Sequence, residues 1–428
     1  MPLYFKYDRI EMTKTQKDQR ICKIALLVAF ACVLQIAESL IPHPIPGLRL
    51  GLANMLTLTA MVVLGFRYAL EVAVLRTVLS AFIMGTFMSP TFILSFSGAV
   101  LSTLIMGFFY WLSGINHRFR LSIIGISIVG AFCHNLVQLY LAYLLLVKHD
   151  GIFVFFPWLS IGAVASGWVV GVVAGNVCRT LASISRPESL PEVAAASKSE
   201  MIRHFVPGNS PLHRLTAEIK IIAVFILAVL ILLSHNVWFY LGLFFFLFSM
   251  ALLSQMSLSL IVSKVRRYST LLAAAFLLPV FFNSGTREAV TILSFKITYE
   301  GLYTGALFTS RILFLLFASS LLILTTSPRE LTRGLSRVLF PLKYMGIPQQ
   351  RMASILSLAW NAMPYVWATT RGAIISADLK KAENLRNLLP LLSNLIANLY
   401  LNTESEFAET IVQRELSKEN KLNAAPLQ

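Results

Sequence analysis

Residues 299–338 read YEGLYTGALFTSRILFLLFASSLLILTTSPRELTRGLSRV, and two kinds of helix meet inside them. From about 299 to 325 the side chains are almost all apolar, with Arg311 the one strong base. That length suffices to cross a hydrocarbon core of ~30 Å. Thr326-Ser327-Pro328 then reads as a helix start: serine caps, proline suits the first turn, and Glu330 favours the N-terminal dipole. Beyond it, Leu331, Leu335, Val338 and Leu339 recur at helical spacing among arginines, the pattern of an amphipathic helix at a membrane interface. A span that hands over to an interfacial helix sets the reading of the whole chain.

Moving outward, the composition agrees. Of 428 residues 57% are hydrophobic and only 13% are charged, about half the charge of an ordinary soluble domain. Further apolar runs fall near 24–41, 48–66, 69–88, 91–113, 121–147, 153–178, 218–234, 237–262 and 269–283. The expectation is an all-α polytopic membrane protein with about ten transmembrane helices. Its two helical membrane modules are residues 1–185 and 211–428, joined by a polar, Pro-bearing, basic linker at 186–210. The formal net charge is +16. Its bases lie between apolar runs, which argues for membrane topology rather than nucleic acid. Lys6, Arg9, Lys14, Lys17, Arg20 and Lys23 place the N-terminus in the cytoplasm, and an even count of six spans returns the chain there. The first 20 residues are too polar for the core of a signal peptide.

Familiar catalytic signatures are missing. There is no P-loop, no Asp-rich Mg²⁺ motif, no HExxH and no GxSxG, so neither nucleotide binding by a P-loop nor prenyl-diphosphate condensation is expected. Cys22, Cys32, Cys133 and Cys178 have no metal-ligand spacing. No catalytic residue and no metal site is expected. A chain of this kind moves something across the bilayer.

Polar residues inside the spans are the candidates for contact with what is moved. Residues 41–54, IPHPIPGLRLGLAN, hold three prolines and two glycines and cannot continue a helix. They form either a wall of a cavity or a tight external turn, and they supply Arg49 and Asn54. Arg76 lies in the third span; it pairs with Glu38 or Glu71, or meets an anionic substrate group. His134, Asn135 and Gln138 share neighbouring faces of the fifth span, and they serve either interhelical hydrogen bonds or a substrate.

The strings ESLIPHPIPGLRLGLANMLTL, GFRYALEVAVLRTVLSAFIMGT, SFSGAVLSTLIMG and GISIVGAFCHNLVQ, over roughly residues 22–180, resemble a family labelled heptaprenyl diphosphate synthase component I. That family, also called the Gx transporters, is similar to the substrate-binding S components of energy-coupling-factor importers. Residues 297–348 resemble the T component of the same importers: Arg311, Thr325, Thr326, Ser327, Pro328, Leu331, Pro341 and Leu342 stand where its pattern has them. The resemblance implies an S–T fusion that captures a vitamin- or cofactor-precursor-like molecule, flavin-like or isoprenoid-like, by toppling in the bilayer. It implies two ABC-type ATPase subunits as partners, with ATP–Mg bound on them and no cofactor on this chain. It also implies a prokaryotic cytoplasmic (inner) membrane location. S components dock through small residues on their first helix, here Ala25, Ala29 and Ala37.

T components carry Ala-Arg-Gly triplets that reach carboxylates of the ATPases. The positions here are Leu379-Lys380-Lys381 and Gln413-Arg414-Glu415, with Thr370-Arg371-Gly372 closer in sequence but about nine residues early. Lys is not equivalent to Arg at a forked contact, so either the partners have diverged or coupling is weakened. The alternative implied by the family label is a membrane-embedded accessory subunit of isoprenoid or quinone biosynthesis; a third reading is a non-transporting scaffold.

Overall fold

The computed structural model describes residues 14–40, 51–115, 121–147, 150–183, 210–254, 268–282, 287–292, 295–338 and 349–376, with a few isolated positions besides. Arg49, Lys380 and Arg414 lie outside the described residues, as does nearly all of the linker.

Among the described residues the first half holds six α-helices: α1 (Lys14–Leu40), α2 (Leu52–Val63), α3 (Phe66–Met84), α4 (Pro90–Ile115), α5 (Ile123–Ala142) and α6 (Phe156–Ser183). Gly85, at φ 75°, closes α3 in the left-handed conformation, and its N–H reaches back to Ala81 and Phe82, a turn that favours glycine. The second apolar run, expected over 48–66, yields a helix of only 12 residues, about 18 Å long. Glycines with positive φ at 51 and 65 bound it.

The second module holds a short turn of helix, α7 (Pro211–Arg214), then α8 (Ala217–Leu233), α9 (Val237–Leu253), α10 (Ser269–Phe282), α11 (Tyr299–Leu324), α12 (Pro328–Val338) and α13 (Gln349–Ser376). Five of the described helices are long and apolar enough to cross a membrane, α11 among them, and shorter apolar helices accompany them. The protein is therefore helical and polytopic. One departure is a small antiparallel hairpin before α11, β1 (Glu288–Ile292) with β2 (Phe295–Thr298), in which Thr291 pairs with Lys296 and Ile292 with Phe295. Its β-branched residues suit a strand, and the segment lies between apolar runs where no span was expected.

The junction of α11 and α12 forms as its sequence predicts. Ser327 Oγ accepts from the Glu330 N–H at 3.4 Å, while Glu330 Oε2 accepts from the Ser327 N–H at 3.1 Å. This is a reciprocal capping box. Lys220, buried at the start of α8, fastens the same elbow: its Nζ donates to the Thr325 carbonyl at 2.8 Å and to Thr326 Oγ1 at 3.3 Å. A cation there also suits the carbonyl end of α11. Gly334 of α12 lies so close to Ala217 that a Cβ on it would stand 2.8 Å from the alanine Cβ, and Arg337 pairs with Glu218. Replacing Lys220 by methionine is expected to lower stability by about 1–3 kcal/mol, because buried acceptors lose their donor. Thermal unfolding in lipid nanodiscs checks this.

Arg311 is 1% exposed and is a structural tie rather than a cavity residue. Its Nε donates to Tyr240 Oη at 3.1 Å and its Nη2 to the Ser234 carbonyl at 2.7 Å, binding α11 to the turn between α8 and α9.

Candidate functional site

The first six α-helices line a partly open cavity of about 50 Å³, room for a few water molecules. Gln35 and Glu38 of α1, Asn54 of α2, Arg76 of α3, and His134 and Asn135 of α5 line it. Four of the residues expected to contact substrate, Asn54, Arg76, His134 and Asn135, thus share one wall system.

Arg76 organises the wall. It is 3% exposed, and its guanidinium donates from Nε to Thr57 Oγ1 at 3.1 Å, from Nη1 to Gln35 Oε1 at 3.0 Å, and from Nη2 to Asn54 Oδ1. These bonds join α1, α2 and α3 through neutral acceptors. Neither carboxylate considered as its partner is taken up in that role. Glu38 Oε1 accepts from the Gly51 N–H at 2.7 Å, and Glu71 pairs with Arg351 at 3.0 Å. Asn135 Nδ2 donates to the Leu159 carbonyl of α6 at 3.0 Å, so it ties α5 to α6 while facing the cavity. Gln138 does not line the cavity. It lies one turn along α5, where a Cβ on Gly98 would stand 3.2 Å from its Cγ and 2.9 Å from the His134 ring.

Two features of the structure are not among the sequence expectations. Gly167 and Gly171 on α6 let α5 approach within backbone contact: a Cβ at either would stand 2.7 Å from the Cα of Ile128 or Ile124. Their Gly-x-x-x-Gly spacing was the available signal. Gly305 on α11 does the same against the Phe276 carbonyl of α10, also at 2.7 Å.

The second feature is the seam between modules. Helix α1 packs along α13, whose Met352, Ile355, Leu356, Ala359, Met363 and Val366 form a buried apolar face at helical spacing. Ala25 and Ala29 are buried within the same core, which runs on through α12 and α13, and Ala37 is half-buried. Arg371 lies near the end of α13.

Helix α3 meets the second module at both of its ends, which are about 28 Å apart. Near its start, Glu71 holds Arg351. At its finish, the Gly85 carbonyl accepts from Ser319 Oγ at 3.1 Å and the Met84 carbonyl from Tyr268 Oη at 3.4 Å. Ser319 is in the last two turns of α11, and Tyr268 precedes α10. Among the described residues no helix of the first module packs lengthwise on α8–α11. The most extensive packing between the two halves is therefore that of α1 on α13.

Fold and site together define a helical, multi-pass membrane protein, with a cavity lined in part by polar side chains among its first six α-helices and a continuous apolar core joining α1 to α13. Comparison with known proteins divides the chain in the same order. The family model described as heptaprenyl diphosphate synthase component I matches residues 27–177, and the one described as cobalt transport protein matches 208–406. The energy-coupling factor transporter transmembrane protein EcfT of Thermosediminibacter oceani is 31% identical over 208 residues, covering 46% of this chain and 78% of the relative. That of Brevibacillus brevis is 32% identical over 212 residues, covering 47% and 80%. That of Bacillus subtilis is 26% identical over 215 residues, covering 48% and 81%. Through its second half the chain belongs to the family of energy-coupling factor transporter transmembrane proteins, and these relatives are transporter components.

Proposed function

We propose that this chain is the fused S and T membrane subunit of an energy-coupling-factor importer. Residues 1–185 capture a small molecule in the cavity around Arg76, Asn54, His134 and Asn135. Residues 211–428 couple its uptake to ATP hydrolysis, with ATP–Mg held on two separate ATPase subunits. The N-terminus and the basic helices α12 and α13 face the cytoplasm by the positive-inside rule. Arg371, Lys380 and Arg414 are the bases proposed to meet carboxylates on the ATPases.

The observation that carries this reading is the seat of the first module. Its α1 packs along α13, and the two ends of α3 are held by Arg351 of α13 and by Ser319 and Tyr268. Motion of α13 on ATP binding then acts directly on α1, and through α1 on Gln35 and Glu38 in the cavity wall. The buried guanidinium favours a substrate with an anionic or carbonyl group, since a charged donor in low dielectric forms a strong bond.

The test is purification of the tagged chain from its native membrane in mild detergent. Two ABC-type ATPase subunits are expected to accompany it, and ATPase activity is expected in the complex. Recovery of a monodisperse chain with no ATPase, or with a prenyl synthase in its place, overturns the coupling role.

A further inference from the structure

Four side chains form a clasp across the seam between the modules. Arg351, in the first turn of α13, donates from Nη2 to Glu71 Oε2 at 3.0 Å. Its guanidinium carbon stands 5.0 Å from the centre of the Tyr68 ring, and that of Arg20 stands 5.3 Å from the same centre. Arg20 Nη1 also donates to Tyr68 Oη at 2.7 Å. One tyrosine thus carries a cation from each module, both within reach of its ring. Tyr68 and Glu71 are three apart on α3 and so lie on neighbouring faces.

The clasp sits where its charge is costly. The side chains of Glu71 and Arg351 are 5% and 24% exposed, and Arg351 Nε is buried with no hydrogen-bond partner among the described residues. A buried ion pair of this kind adds little net stability, since desolvation offsets much of the attraction, yet losing one partner is strongly unfavourable. That asymmetry suits discrimination. The buried face of α13 among the described residues is apolar, and an apolar helix face accepts many partners. A buried arginine rejects any partner that fails to offer it a carboxylate.

We propose that Glu71 and Tyr68, acting on Arg351, form the selectivity contact of the seam. They make α13 accept the first module of its own chain and reject substrate-binding modules that lack an acid one turn after a tyrosine at this point. The inference rests on reading the first module as the substrate-capturing partner of α13. Its test needs neither substrate nor ATPase, so the two readings fail separately.

The experiment is hydrogen exchange of the full chain in lipid nanodiscs, followed by mass spectrometry of peptides from α13, with α11 as the internal control. Arg351→Glu and Glu71→Arg are each expected to speed exchange in α13 by about tenfold or more, leaving α11 unchanged. The double variant carrying both reversals is expected to return α13 close to its original rate, because the pair is restored in the opposite sense. Arg351→Gln serves if a reversal does not fold, and is expected to loosen α13 with α11 unchanged. Tyr68→Leu, which removes the ring both cations share, is expected to give a smaller rise. Unchanged exchange in α13 in the single variants, or a double variant as loose as either one, overturns the proposal.

Discussion

Arg76→Met is expected to empty the first module of its ligand and to loosen its three first helices. Methionine matches the length of the arginine stem but donates nothing. Gln35, Asn54 and Thr57 then lose the donor that joins α1 and α2 to α3. Each buried acceptor left unmet costs about 1–3 kcal/mol. Two effects reduce the total. The amides of Gln35 and Asn54 face the cavity, where water can meet them, and removing a buried charge ends its desolvation cost. A net loss of about 2–4 kcal/mol is the expected balance.

The ligand loses more. A charge-assisted hydrogen bond contributes about 1.5–3 kcal/mol, so loss of one or two lowers affinity by about 10- to 20,000-fold. Mass spectrometry of the small molecules retained after purification measures this directly. Arg76→Lys keeps the charge without the fork and is expected to retain part of the ligand. Asn135→Ala breaks a single bond, to the Leu159 carbonyl, and is expected to cost about 1 kcal/mol. Retention of the same ligand at unchanged stoichiometry in Arg76→Met removes the cavity from consideration as the substrate site.

What the sequence could announce, and what it could not, follows from the range of the interactions. The capping box at Ser327 and Glu330 was readable because it spans three residues and uses side chains with one obvious local role. Arg76 stood out because a base inside an apolar run needs a partner or a purpose. Its partners did not stand out. Gln35, Asn54 and Thr57 are ordinary polar residues until α1, α2 and α3 are brought together. Glu71 shows the limit most clearly: it was read against Arg76, five residues away on the same helix, yet its partner is Arg351, 280 positions along the chain. No local pattern carries a contact across two modules. The short α2 was missed for a different reason. Hydropathy continues smoothly through 48–66, while the left-handed glycines at 51 and 65 set the helix length by backbone geometry, which hydropathy does not register. Ala25, Ala29 and Ala37 of α1 carry the small-residue spacing of close helix approach. Among the glycines, Gly167 and Gly171 bring α6 within backbone contact of α5, and bulk at those positions is the most direct challenge to the cavity.

Gly171→Leu is accordingly expected to be among the most damaging single substitutions in the first module. A Cβ at 171 would stand 2.7 Å from the Cα of Ile124 and 3.0 Å from the Cβ of Ser127. The first of these contacts is with the main chain and cannot be relieved by a rotamer change, so α5 and α6 must move apart. Their separation reaches the cavity at once. Ser127 lines it from α5 and Ser166 from α6, and the bond from Asn135 to Leu159 spans the same pair of helices. Overpacking of a tight crossing costs about 3 kcal/mol or more when backbone has to shift, which corresponds to a fall of roughly 6–12 °C in Tm. Gly167→Leu meets the Ile128 backbone at 2.7 Å and is expected to match it. The same helix supplies the control. A Cβ at Gly175, four residues beyond Gly171, meets nothing within 4 Å, so Gly175→Leu is expected to change stability by less than about 0.5 kcal/mol. Thermal unfolding of the three variants in nanodiscs, with retained ligand measured alongside, separates the two possibilities. Equal losses at 171 and 175 would mean that α6 responds to bulk in general. A loss confined to 167 and 171, with ligand lost in parallel, means that the crossing of α5 and α6 holds the cavity to its shape.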